Sequence, residues 1–270
     1  MGVPSYSQTM KTFELWAGSE PLLISSPHSA QALTADVRAR MTPAGHAVAD
    51  TDWFVAALYA PIAQALGASL LVPTYSRYLI DLNRAPDGAA LYPGQSETGL
   101  CPLLSFADEP LYLPGLNPDA QEIALRRERY WQPYHDALKA ELERLRVLHG
   151  AVLLWDAHSI AAEVPKFFQG RLPDLNIGSN DGATASAAIH LALRRCCEKQ
   201  TRFSHVFNGR FKGGYITRRH GQPQTGVHAI QLETNQDAYM DLKQTQLLPS
   251  RASELSATIH QLLGAAIAAL

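Results

Sequence analysis

The sequence predicts an α/β fold: a single-domain three-layer sandwich, residues 1–270, with a mixed, mostly parallel central sheet. Three observations predict it. Short apolar runs alternate with helical patterns, which is the signature of helices packed on a central sheet. Three of those runs end abruptly in polar side chains: Leu22-Leu23-Ile24-Ser25-Ser26-Pro27-His28, Leu153-Leu154-Trp155-Asp156-Ala157-His158-Ser159, and Val227-His228-Ala229-Ile230-Gln231-Leu232-Glu233. No internal repeat, low-complexity tract or interdomain linker interrupts the pattern.

Taken in order, residues 13–26 carry two β-like runs around Gly18-Ser19-Glu20, which predicts a hairpin leading into a buried strand. A polar loop and a short helix at 34–40 follow. Asp50 or Asp52 opens a helix whose apolar face is Val55, Leu58, Tyr59, Ile62 and Leu66, and Gly67 ends it. Strands are expected at 69–73 and 77–82. Residues 83–116 are punctuated by Pro86, Gly88, Pro93, Gly94, Pro102 and Pro110, yet hold Leu91, Tyr92, Phe106 and Tyr112. That combination predicts an ordered loop folded over a site. Asn117-Pro118 starts a helix running to His149, with a kink at Pro133. A strand at 151–156 precedes a second irregular stretch. A helix at 183–200, a strand at 203–207, a basic glycine-punctuated loop at 209–221 and a strand at 227–233 come next. Ser250 caps a final amphipathic helix bearing Leu255, Ile259, Leu262, Leu263 and Ala266 on one face.

Composition narrows the function classes. An apolar fraction of 46% and a charged fraction of 18% describe an ordinary globular chain. A net charge of −2 supplies no bulk field toward nucleic acid or membrane, so an anionic substrate would be gripped by a few local arginines. No apolar run approaches the roughly 18 residues of a membrane span, and residues 1–19 lack the pattern of a signal peptide. The three cysteines, Cys101, Cys196 and Cys197, do not make a disulfide framework. The expected setting is the cytoplasm.

Ligands gather at the carboxyl ends of strands in open α/β sheets. Of ten histidines, His28 and His158 stand out, because each follows an apolar run beside the small residues Ser29, Ala157 and Ser159. One strand-end histidine is more often structural; two point to a site when a third ligand exists. A catalytic zinc takes three protein ligands and leaves a position open. Asp50-Thr51-Asp52 can supply the carboxylate, with Asp50 capping the helix and Asp52 turned to the metal. Asp156 shares a strand face with His158 and either orients a histidine ring or neutralises an arginine. Glu233 closes an apolar strand, either paired with an arginine or taking a proton from the attacking water. Among the basic residues Arg77, Arg84, Lys212, Arg218 and Arg219, the Asn83-Arg84 pair is best placed to grip a carboxylate. Phosphate-loop, dinucleotide and serine-elbow motifs are absent, so Ser159 is not expected to be a nucleophile.

The segments Pro27-His28-Ser29, Asp50-Thr51-Asp52-Trp53, Ser76-Arg77-Tyr78-Leu79-Ile80-Asp81-Leu82-Asn83-Arg84, Leu91-Tyr92-Pro93-Gly94, Asp156-Ala157-His158-Ser159-Ile160, Leu172-Pro173-Asp174-Leu175-Asn176-Ile177-Gly178 and Asn208-Gly209-Arg210-Phe211-Lys212-Gly213-Gly214-Tyr215-Ile216-Thr217-Arg218 resemble, in order, the N-formylglutamate deformylase family. That family is related to the zinc carboxypeptidases. The resemblance implies their mixed-sheet fold and one zinc held by His28, Asp52 and His158. It implies Glu233 as the general base, Arg77 steadying the oxyanion, and Asn83, Arg84, Lys212 and Arg218 binding a small anionic N-acyl amino acid. The implied reaction is hydrolysis of N-formyl-L-glutamate in histidine degradation; the alternatives are the same chemistry on another small N-acyl amino acid, or a non-catalytic carboxylate-binding relative. Some positions depart from the pattern. Gln31 stands where carboxypeptidases carry a glutamate ligand, so the acid comes from elsewhere. Ala56, Ala157 and Ala161 stand where the deformylase pattern has an aspartate, a cysteine and an arginine.

Overall fold

The computed structural model describes residues 11–89 and 97–270, so the expected Leu91-Tyr92-Pro93-Gly94 part of the loop lies outside the described residues. Seven strands form one sheet: β1 (Phe13–Trp16), β2 (Leu22–Ser25), β3 (Ser69–Pro73), β4 (Val152–Ile160), β5 (Leu175–Gly178), β6 (His205–Phe207) and β7 (Val227–Asn235). Their order is β1-β3-β2-β4-β7-β5-β6. β1–β3 and β5–β7 are antiparallel and the other pairs parallel, which is the mixed, mostly parallel sheet expected. Residues 240–241 and 246–247 form a separate two-stranded ribbon.

Every residue of β4 is buried, because helices cover both faces and a strand lies on each side. Strand alternation divides its side chains between the two layers. Leu153, Trp155 and Ala157 pack against one set of helices: α3 (Val55–Leu66), α6 (Ala187–Lys199) and α8 (Pro249–Ile267). Val152 and Leu154 face α5 (Gln132–His149) and α7 (Tyr215–His220). Two residues further along that second face, the apolar pattern gives way to Asp156 and His158. The core ends there and the site begins. The short helices α1 (Ala35–Arg38) and α2 (Pro43–Ala47), and α4 (Ala120–Arg126) leading into α5, are the remaining α-helices of the described residues.

Several expectations are corrected. Residues 13–26 are not a hairpin, since β1 and β2 flank β3 on opposite sides. The Gly18-Ser19-Glu20 turn is tied to the end of α3 instead, with the Ser19 and Glu20 amides donating to the Gly67 carbonyl at 2.9 and 3.0 Å. Residues 77–82 are a buried loop, not a strand. Their carbonyls are met by side chains rather than by a ladder: Arg126 donates to Leu79 O at 2.8 Å, and His135 Nε2 lies 2.8 Å from Leu82 O. Asp119, not Asn117, caps the helix that follows, accepting from the Glu122 amide. A single π turn at Arg127–Trp131 sits just before Pro133. Asp50 does not cap α3; its carboxylate accepts from the Phe106 amide at 2.9 Å. Proline opens α8 and Ser250 makes no cap, whereas Ser186 caps α6. β5 lies inside the second irregular stretch, and α7 inside the basic loop. Cys197 is buried and Cys196 partly exposed, and all three cysteines are free.

Candidate metal centre and substrate pocket

β4 and β7 continue past their apolar halves, so His158 and Glu233 lie within strands rather than after them. The register pairs Asp156 with Gln231 and His158 with Glu233. His28 follows β2, the other neighbour of β4. The Asp52 amide donates to the His28 carbonyl at 3.0 Å, which holds the 50–54 loop against the first histidine. The Gln236 side chain braces the same loop by donating to Thr51 O at 3.0 Å.

These constraints bring His28, Asp52 and His158 together as a buried trio whose ligand atoms lie within 4.8 Å of one another. Asp52 Oδ2 is 2.9 Å from His158 Nδ1 and 3.8 Å from His28 Nδ1. Each outer nitrogen is already engaged. His28 Nε2 is 2.7 Å from Asp81 Oδ1, and His158 Nε2 is 3.1 Å from Asp156 Oδ1. Both Nδ1 atoms therefore turn inward with Asp52. The donor set, two imidazoles and a carboxylate backed by hydrogen-bonding partners, is that of a divalent transition metal.

Two further observations fit a cation there. Burial works against charge on His158, but the carboxylates of Asp156 and Asp52 outweigh it and hold its pKa well above the ordinary value. A field that favours a proton at this point also favours a metal ion. Asp156 Oδ1 is buried without an aligned partner among the described residues, yet lies 3.1 Å from His158 Nε2. A metal on Nδ1 forces the ring proton onto Nε2, where that oxygen accepts it.

Around the trio is a pocket also lined by Arg77, Asp81, Asn83, Arg84, Glu97, Phe106, Phe167, Arg210, Phe211, Gly214, Gln231 and Glu233. Burial pushes the Glu233 carboxyl up to about 8. Arg77 is buried; one nitrogen donates to Asp81 at 2.6 Å and its guanidinium lies over Phe106. Arg84 pairs with Glu97 at 3.1 Å. The Asn83 amide is committed to the fold: Oδ1 accepts from Ile216 N at 2.7 Å while Nδ2 faces His158 and Asp156. Gly214 permits this, since a Cβ there would lie 2.4 Å from Asn83 Nδ2.

Seven of the nine site residues expected from sequence thus share one pocket: His28, Asp52, His158, Glu233, Arg77, Asn83 and Arg84. Lys212 and Arg218 do not line it. Lys212 pairs with Asp181 at 2.9 Å, and Arg218 donates to Gly213 O at 2.9 Å. Ala161 borders a neighbouring cavity instead. The Ser159 hydroxyl lies 2.7 Å from the Tyr239 hydroxyl and accepts from the Gln236 side chain at 3.2 Å. Sequence reasoning missed Arg210, Gln231 and Asp81. Arg210 and Asp81 fall inside motif segments quoted above, and that was the only signal for them.

Comparison with known proteins places the chain. A family model described as N-formylglutamate amidohydrolase matches residues 20–240. The chain is 48% identical over 224 residues to an N-formylglutamate deformylase of Pseudomonas aeruginosa, covering 83% of this chain and 84% of that protein. It is 45% identical over 231 residues to an N-formylglutamate deformylase of Pseudomonas putida, covering 86% of each. A crystal structure of N-formylglutamate amidohydrolase from Ralstonia eutropha JMP134 superposes with a TM-score of 0.80 at 25% identity, over 95% of this chain and 97% of that one.

Proposed function

The chain belongs to the N-formylglutamate amidohydrolase family, and from that premise we propose that it hydrolyses N-formyl-L-glutamate to formate and L-glutamate with one zinc ion held by His28, Asp52 and His158. The observation that carries the reading is the meeting of that buried trio with Glu233 and three guanidiniums, Arg77, Arg84 and Arg210, in a single pocket. The donor set suits zinc, which when bound would polarise the formyl carbonyl and ease ionisation of the attacking water.

The protein's own groups do the rest. Glu233, buried beside the trio, takes the proton of the attacking water and returns it to the departing amine. Arg77 faces the pocket with a fixed positive charge and steadies the oxyanion that develops on the carbonyl oxygen. Arg84 and Arg210 hold the two carboxylates of the substrate, Arg84 as expected and Arg210 in the part expected of Lys212 or Arg218. Asn83 acts by donating to Asp156, the carboxylate beside His158 Nε2, rather than by reaching substrate. Among the described residues no helix is long and apolar enough to cross a membrane.

The test combines metal analysis of the purified protein with a formate-release assay on N-formyl-L-glutamate, with N-acetyl- and N-succinyl-amino acids as alternatives. About one zinc per chain and a preference for the formyl substrate are expected. Full-rate hydrolysis by metal-free protein, or preference for a larger acyl group, would overturn the reading.

A further inference from the structure

Asp81 is fully buried, and its two oxygens serve two different parts of the site. Oδ1 lies 2.7 Å from His28 Nε2 and accepts the Asn83 amide at 2.9 Å, while Oδ2 takes the Arg77 guanidinium at 2.6 Å. We propose that Asp81 is a positioning residue shared by the metal ligand His28 and the pocket cation Arg77, so that one carboxylate sets the orientation of both. The inference rests on the metal-dependent reading above and adds to it a coupling between the ligand shell and the charge beside the reacting carbonyl.

A carboxylate that merely neutralised Arg77 would need no contact with His28. Here the carboxylate holds the ring by its outer nitrogen, which leaves Nδ1 for the ion. On the other side it holds the guanidinium by one nitrogen only. Arg77 Nε is buried and has no partner among the described residues, although the side chain lines the pocket. An unsatisfied buried donor on a group clamped at its far end is poised for an oxygen that arrives with substrate. Arg84 Nε, 3.9 Å from Oδ2, adds a second positive charge to the same carboxylate.

The full-length, metal-stripped protein is titrated with zinc against a chromophoric chelator, as wild type, Asp81→Asn, Arg77→Met and the double variant. Asp81→Asn is expected to weaken zinc binding about 10- to 100-fold, while Arg77→Met stays within about threefold of wild type. In kcat/KM the double variant should lose much less than the product of the two single losses, as for groups acting through one network. Unchanged zinc affinity in Asp81→Asn, or losses that simply multiply, would overturn the proposal. Should Asp81→Asn not fold, the ¹⁵N resonance of His28 Nε2 decides: it should move in Arg77→Met, because the two share a carboxylate, and a resonance that stays in place is equally fatal. Failure of wild type to bind zinc would strike the functional reading; normal wild-type behaviour with a silent Asp81 strikes only the sharing of this carboxylate.

Discussion

His158 on β4 and Glu233 on β7 are direct register partners in the sheet, side by side on the face that carries Asp156 and Gln231. Adjacent strands run about 4.8 Å apart, so the backbone ladder itself spaces a ligand of the metal trio from the acid beside it. Asp52 and Arg77 come from loops, but this pair does not depend on loop geometry.

That division sets the outcome of Glu233→Gln. The amide preserves shape but cannot take a proton, so kcat should fall by about 10²- to 10⁴-fold while zinc content stays near wild type. Formate release and metal analysis on the same preparation check both halves, and normal turnover would remove Glu233 as the base.

Replacing Arg84 or Arg210 with methionine separates binding from chemistry. Each loses one charge-assisted contact to a carboxylate, worth roughly 1.5–3 kcal/mol. KM should rise about 10- to 100-fold with kcat changed much less. Lys212→Met, whose partner Asp181 lies outside the pocket, should leave both constants nearly unchanged.

Gly214→Ala introduces a methyl 2.4 Å from Asn83 Nδ2 and 2.7 Å from its Cγ, with the backbone at Gly214 in an ordinary conformation. The cost is therefore purely steric, roughly 1–3 kcal/mol of stability. Displacing Asn83 also removes its hydrogen bond to Asp156, the carboxylate that orients His158, so activity should fall at least tenfold. A thermal melt and an activity assay report the two effects separately.

Acid stability has an identifiable contributor away from the metal trio. His135 is buried and stacked on Trp131, its Nε2 is 2.8 Å from Leu82 O, and burial holds its pKa down to about 4. The unfolded chain binds that proton near pH 6.5, so between about 6.5 and 4 it carries more protons than the folded one. Stability then falls as pH falls across that window, by roughly 3 kcal/mol at most from this group. His220, whose ring stacks 6.0 Å from His135, is lowered by burial in the same direction. Melting temperatures from pH 7 to 4 should show the decline, and His135→Gln should flatten it.

The sheet was legible where burial is two-sided, because β3, β4 and β7 read as continuous apolar runs whatever their neighbours. Pairing was not legible. Nothing local says that β1 seeks β3 rather than β2. Residues 77–82 alternate like a strand, yet their carbonyls are claimed by Arg126 and His135 from a helix some fifty residues further on. α7 was hidden because six residues are too few to show a helical period. At the site, strand endings exposed His28, His158 and Glu233. Asp81 was passed over because its importance comes from what it touches, and Arg210 because its segment shows no pattern separating it from Lys212.

The sheet order also fixes when the site can exist during synthesis. Asp52 and His158 are 106 residues apart, and the Asn83–Ile216 bond behind them spans 133. Contacts of such separation close late, while the chain emerges amino-terminus first. His28 and Asp52 leave the ribosome well before β4 exists, and Glu233 arrives later still. A metal ion needing His28, Asp52 and His158 together could be captured only after the central strands have joined.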